Sequence, residues 1–196
     1  LAEWSRKFGY GSRTGIELKD EEAPGLVPDP AWKKKVLKDI WYEGNTINMS
    51  IGQGDLQASP LQVAVMTAVP ANGGYLVKPH LLLDDADSKV WRKSLNLNPS
   101  TIDVLRQGLR GVVTFGTATA LNIDSVTIAG KSGTAEDPPR PTHTWFAGYA
   151  PAEKPEILVV SFGENSGGGG GSKQGPKVVK VIEKYMQLKQ KMKGSK

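Results

Sequence analysis

SVTIAGKSGTAE (residues 125–136), HTWFAGYAP (143–151) and EILVVSFGE (156–164) are three short runs rich in branched and aromatic residues, and they decide the fold. Runs of this composition bounded by turn residues read as strands. The links between them, DPPRPT and AEKP, are short and contain proline, which favours antiparallel neighbours. Downstream, NSGGGGGSKQGP (165–176) reads as a glycine-rich flexible loop. Beyond it, Val178, Ile182, Tyr185 and Met192 fall on one face of a closing helix over 177–193.

Upstream of the strands the period changes to that of helices. Asn98, Pro99 and Ser100 open one helix, with Ile102, Leu105, Leu109 and Val112 on its inner side. Before it, DDADSKVWRKSLNLN is a polar excursion, and YLVKPHLLL is extended with Pro79 demoting part of it. Ser59 is a good N-cap, Pro60 suits a first turn, and Gln62 completes a capping box. The helix they begin, PLQVAVMTAV, is apolar nearly all round and is expected to be buried. Asn72, Gly73 and Gly74 stop it. A short amphipathic helix is expected within 30–44, using Trp32, Val36, Leu37 and Ile40. At the start, Leu1, Trp4 and Phe8 share a helical face with no capping residue before them, as if the chain began inside a helix. The expected class is α+β, helices packed on an antiparallel sheet. A mainly helical part spans 1–125 and three strands lie within 126–163.

Composition narrows the chemistry. The chain has 196 residues, 38% of them hydrophobic, which suits one domain with a core. No apolar run is long enough to span a bilayer, and no signal peptide is visible. Cysteine is absent, so thiol chemistry, disulfides and thiolate-bound metal are excluded. The two histidines, His80 and His143, lack ligand spacing, so no metal site is expected. The net charge of +5 is uneven: residues 173–196 hold eight lysines and one glutamate, leaving 17 basic and 19 acidic residues elsewhere. The basicity belongs to a solvated tail rather than to a nucleic-acid-binding face.

Within the first strand, KSGT (131–134) puts a cation and two hydroxyls where apolar residues would serve packing better. Side chains alternate across a strand, so Ser132 and Thr134 share one side and Lys131 takes the other. Gly133 lets a ligand backbone approach. Two hydroxyl donors beside a cation suit a carboxylate, and a strand edge can pair with an extended peptide. On the motif alone, a solvated turn is the readier reading of the tetrapeptide. His143 either borders a cleft at the sheet edge or is a structural strand-start residue. Gln53, between two glycines, supports the site from behind or belongs to a plain loop. Glu136 and Asp137 are adjacent and diverge, so they read as polar loop residues rather than a paired-carboxylate site.

Several of these segments together resemble one family. KSGTAE is similar to the Lys-Thr-Gly member of the signature Ser-x-x-Lys, Ser-Asp-Asn and Lys-Thr-Gly found in penicillin-binding proteins. SIGQGDLQASPLQVAVMTAVPANGG (50–74) closely resembles the class B, elongation-type enzymes. FGYGSRTGIEL, LRGVVTFGTA, HTWFAGYAP and VVSFGENSGGGGGS resemble the same family, in its order and over nearly the whole chain. The resemblance implies the C-terminal part of a transpeptidase domain of the penicillin-binding/β-lactamase-like fold. It implies acyl transfer through a serine ester on D-alanyl-D-alanine stem peptides of peptidoglycan, inhibited by β-lactams, with no metal or organic cofactor.

In the family, the lysine matching Lys131 supports the network around the nucleophile. The hydroxyls matching Ser132 and Thr134 bind the terminal carboxylate. The backbone N–H matching Thr134 is half of the oxyanion hole. The resemblance also implies partners in the cell-elongation machinery. It implies a place on the periplasmic face of the inner membrane, through an anchoring helix outside this chain. The sequence departs from the pattern in one respect: it contains no Ser-x-x-Lys. Ser94 and Asn96 match Ser-x-Asn only in an out-of-order loop. The nucleophile and the middle motif are therefore expected upstream of Leu1. Two rival readings remain, a non-catalytic module that grips stem peptides or a partner protein, and a piece of a β-lactamase or β-lactam sensor.

Overall fold

The computed structural model describes residues 1–18, 20–82 and 91–194. The polar stretch at 84–90 and the last lysine of the tail lie outside them. The chain divides into two compact units, Leu1–Met66 with Leu76–Leu95, and Thr67–Tyr75 with Asn96–Lys196.

The first unit is built from short helices and turns. Helix α1 (Ala2–Lys7) is followed by α2 (Pro30–Val36), α3 (Glu43–Ser50) and the start of α4 (Pro60–Ala71). Asp29 caps α2 by accepting from the Trp32 N–H at 2.8 Å, and it pairs with Arg6 at 2.5 Å. The amphipathic helix expected there differs from the one found. Val36, Leu37 and Ile40 are exposed, and the buried side chain is Lys33. Its ammonium meets Asp39 at 2.9 Å and the Asn45 amide oxygen at 3.0 Å. These polar partners neutralise a charge that burial alone would penalise, so lysine occupies the inner position in place of an apolar residue. Helix α3 has a weak apolar pattern and escaped the sequence reading.

The capping box at α4 forms as expected. The Ser59 N–H donates to Gln62 Oε1 at 2.8 Å, and the Gln62 N–H donates to Ser59 Oγ at 3.2 Å. Gln62 is fully buried because its amide also donates to the carbonyls of Ser12 and Pro24, each at 2.8 Å. Gly25 lies beside this amide with φ +64; a Cβ there would stand 2.5 Å from the Gln57 carbonyl and 2.8 Å from Gln62 Oε1. Strands β1 (Tyr75–Val77) and β2 (Arg92–Ser94) form a two-stranded ribbon. Ser94 is thus a strand residue rather than a loop residue, while Asn96 takes a left-handed φ of 50.

The second unit holds the three-stranded antiparallel sheet, in the order β3 (Ala129–Asp137), β4 (Arg140–Ala150) and β5 (Ile157–Gly163). Helix α5 (Pro99–Thr114) is capped by Asn98, whose side chain accepts from the Ser100 N–H at 3.0 Å. Of its expected inner residues, Ile102 is buried and Leu109 and Val112 join the core, whereas Leu105 is exposed. A 3-10 turn at Thr119–Leu121 follows.

The glycine-rich stretch carries a short helix, α6 (Gly170–Lys173), and the closing helix α7 begins at Gly175 and runs to Gly194. Val178 and Ile182 are fully buried against Phe146 and Ala150 on one face of the sheet. Met186 still packs there, but Met192 is exposed, so the tail is a solvated helix. On the opposite face Tyr149, Ala129 and Leu158 meet Ala71, Leu109 and Ala152.

Candidate functional site

Strand β3 starts at Ala129, later than the run 125–136 read from the sequence, and continues through KSGT to Asp137. Residues 125–128 are an irregular lead-in in which Ile128 is fully buried. KSGT therefore sits mid-strand, at one edge of the sheet. A mid-strand position gives each side chain a fixed direction, which a turn does not.

The register assigns the faces. Ser132 lies opposite Phe146 and Thr134 opposite Thr144, whereas Lys131 lies opposite Ala147 and Gly133 opposite Trp145. Ser132 and Thr134 therefore share the face on which α7 packs, and Lys131 and Gly133 share the other. Lys131 and Thr134 are exposed and Ser132 is half-buried. The Lys131 ammonium donates to the Ser132 carbonyl at 2.6 Å, which draws it back along its own strand. Ser132 Oγ lies 2.9 Å from Thr117 Oγ1. Thr134 Oγ1 accepts from the Gly170 N–H at 3.3 Å.

A cation and two hydroxyls are thus displayed within one short stretch of an edge strand. Such a row can hold a carboxylate by charge-assisted hydrogen bonds, while the edge can accept an extended backbone. Neither Thr117 nor Gly170 was singled out in the sequence. Thr117 reaches Ser132 across 15 residues and Gly170 reaches Thr134 across 36. Sequence spacing carries no signal for such contacts.

His143 lies on β4, half-buried, with Nδ1 accepting from the Asn165 N–H at 3.0 Å and Nε2 3.4 Å from Asp137 Oδ2. Its ring packs on Phe162 with centroids 5.6 Å apart, and Phe162 packs on Trp145 at 4.1 Å. Phe146, next to Trp145, points into the core and is fully buried. Asp137 is held below the usual carboxylate range, first by the Asn165 amide and then by Arg140. Both groups fasten the end of the β3–β4 hairpin, and Asp137 is committed to an ion pair with Arg140 at 2.8 Å. Gln53 belongs to the first unit, where its N–H donates to the Asn48 carbonyl at 2.9 Å and closes the end of α3. Among the described residues no group of three or more acidic or histidine side chains is placed to hold a metal ion.

Residues 1–184 match the family described as the penicillin binding protein transpeptidase domain. The peptidoglycan D,D-transpeptidase MrdA of Acinetobacter baumannii is 36% identical over 197 residues, covering 89% of this chain and 29% of that protein. MrdA of Escherichia coli K12 is 31% identical over 195 residues, covering 86% and 31%. Among solved structures, the PBP2 of Helicobacter pylori in its complex with MreC superposes with a TM-score of 0.85 at 34% identity, over 95% of this chain and 35% of that one. The Pseudomonas aeruginosa PBP2 in complex with WCK 5153 gives 0.82 at 34% identity, over 94% and 42%. The chain thus spans about a third of the length of the curated relatives it matches. By these matches the chain belongs to the penicillin binding protein transpeptidase family, and its relatives bear out the resemblance to the class B, elongation-type members.

Proposed function

We propose that this chain supplies the substrate-carboxylate strand of a peptidoglycan D,D-transpeptidase and is the C-terminal part of that domain. The observation that carries the reading is the row Lys131, Ser132, Thr134 on an edge strand, two hydroxyls on one face and an ammonium on the other. The stem peptide, or a β-lactam in its place, extends along β3. Its terminal carboxylate takes hydrogen bonds from the Ser132 and Thr134 hydroxyls. The Thr134 N–H donates to the oxygen of the carbonyl under attack, where charge develops. One such donor is typically worth about 3–4 kcal/mol in the transition state.

Lys131 adds positive potential beside the reacting serine, which comes from a Ser-x-x-Lys segment outside this chain. The serine oxygen bonds to the carbonyl carbon of the penultimate D-alanine and the terminal D-alanine leaves with a proton. The amine of a second stem peptide then displaces the serine. The whole protein acts outside the cytoplasmic membrane with proteins of the elongation machinery, as the H. pylori PBP2–MreC complex suggests by analogy.

Fluorescent penicillin tests this directly. The full-length protein is expected to form a stable labelled adduct on gels, and residues 1–196 alone are expected to form none. Labelling of residues 1–196 would refute the division of labour. A full-length protein that never labels would favour the non-catalytic binder, and one that turns the β-lactam over rapidly would favour the β-lactamase or sensor.

A further inference from the structure

The glycine-rich segment comes unusually close to the carboxylate strand. A methyl group on Gly170 would run into the carbonyl oxygens of Gly133 and Trp145. One on Gly171 would stand 2.8 Å from the Thr117 carbonyl and 3.7 Å from Ser132 Cβ. The missing side chains let the α6 backbone sit on the face that carries Ser132 and Thr134. The segment is anchored there by Gln174, which is fully buried. Its Nε2 donates to Thr144 Oγ1 at 2.7 Å, its Oε1 accepts from Ser161 Oγ at 2.8 Å, and its backbone N–H donates to the Gly170 carbonyl at 2.9 Å. Thr144 is the register partner of Thr134. The anchor therefore holds α6 at the height where the Gly170 N–H meets Thr134 Oγ1.

We propose that Gly170 is a positioning residue for carboxylate recognition, acting through Thr134: its N–H, held by the Gln174 anchor, fixes the Thr134 hydroxyl where a ligand carboxylate must meet it. The inference rests on the function proposed above. A binding group already held in place loses less freedom when its ligand arrives. Loss of that contact slows acylation by roughly threefold to tenfold, the usual net worth of one hydrogen bond.

The test is a double-mutant cycle on the second-order rate of acylation of the full-length protein by benzylpenicillin. It uses the parent, Gly170→Ala, Thr134→Val and the double variant, with circular dichroism melts of each. Gly170→Ala is expected to slow acylation about threefold to tenfold with Thr134 present, and by less than about twofold once the Thr134→Val substitution has removed the hydroxyl. Equal losses in both backgrounds, or no loss in either, overturn the proposal and leave the proposed function standing. A parent protein that is not acylated overturns the function and this inference together. If Gly170→Ala does not fold, the same cycle with Gln174→Asn, one methylene too short to reach both Thr144 and Ser161, decides by the same criterion.

Discussion

Ser132 and Thr134 differ from their neighbours in one physical respect: each hydroxyl is exposed or half-buried at a strand position whose direction the sheet register fixes. Alternation alone predicts that they act as a pair while Lys131 acts from the other side. In the full-length protein, Ser132→Ala with Thr134→Val is expected to slow acylation by β-lactams bearing the carboxylate roughly 10- to 100-fold, the loss of hydrogen bonds to a charged group. Analogues lacking the carboxylate should lose far less. Competition rates measured on matched pairs check this, and equal losses on both would reduce KSGT to a structural strand. Elsewhere, single residues serve the fold. Lys33 is buried because Asp39 and Asn45 receive its ammonium, and no hydrophobicity pattern foretells that.

Among the elements, α4 shows how closely a local signal can match the structure. Ser59, Pro60 and Gln62 announce the helix start, and both reciprocal hydrogen bonds form. What the signal omits is that the same glutamine amide ties down Ser12 and Pro24. Gln62→Leu should therefore cost more than a cap, about 2–4 kcal/mol, because it strands two carbonyls as well as the Ser59 N–H. Urea unfolding of residues 1–196 measures it; a cost of only a few tenths of a kcal/mol would mean that these groups rehydrate freely. Helix α7 makes the complementary point. Its apolar face continues in sequence to Met192, but burial ends near Met186.

Over the whole molecule, the acidic side chains are the pH-sensitive part of the fold. Asp29 is held below the usual range by the Trp32 N–H and then by Arg6, Asp39 by Lys33, Glu153 by Thr127 and Glu156 by Lys189. A carboxylate whose folded value is lowered contributes stability above its unfolded value, and that contribution disappears as pH falls through the folded one. The window is therefore acid, below about pH 4. Tyr10 has the opposite sign: burial raises it from 10.0 to about 12. Its contribution is complete below pH 10 and is lost as pH rises through 12. Melting temperatures of residues 1–196 should fall below about pH 4 and again above about pH 10. Asp29→Asn should blunt the acid fall. A flat profile from pH 3 to 11 would contradict these environments.

By itself the sequence determined the three strands, the antiparallel order, the α4 and α5 starts and the pairing of Ser132 with Thr134. Each follows from local rules: period-two alternation, capping chemistry and short links. Only the tertiary structure decided that KSGT lies mid-strand at a sheet edge, that Thr117 and Gly170 stand against its hydroxyls, and that the glycine-rich stretch contains a helix seated on the sheet by Gln174. The physical reason is range. Contacts 15 to 36 residues apart in the chain are set by how elements pack, and packing leaves no periodic mark on the residues that happen to meet.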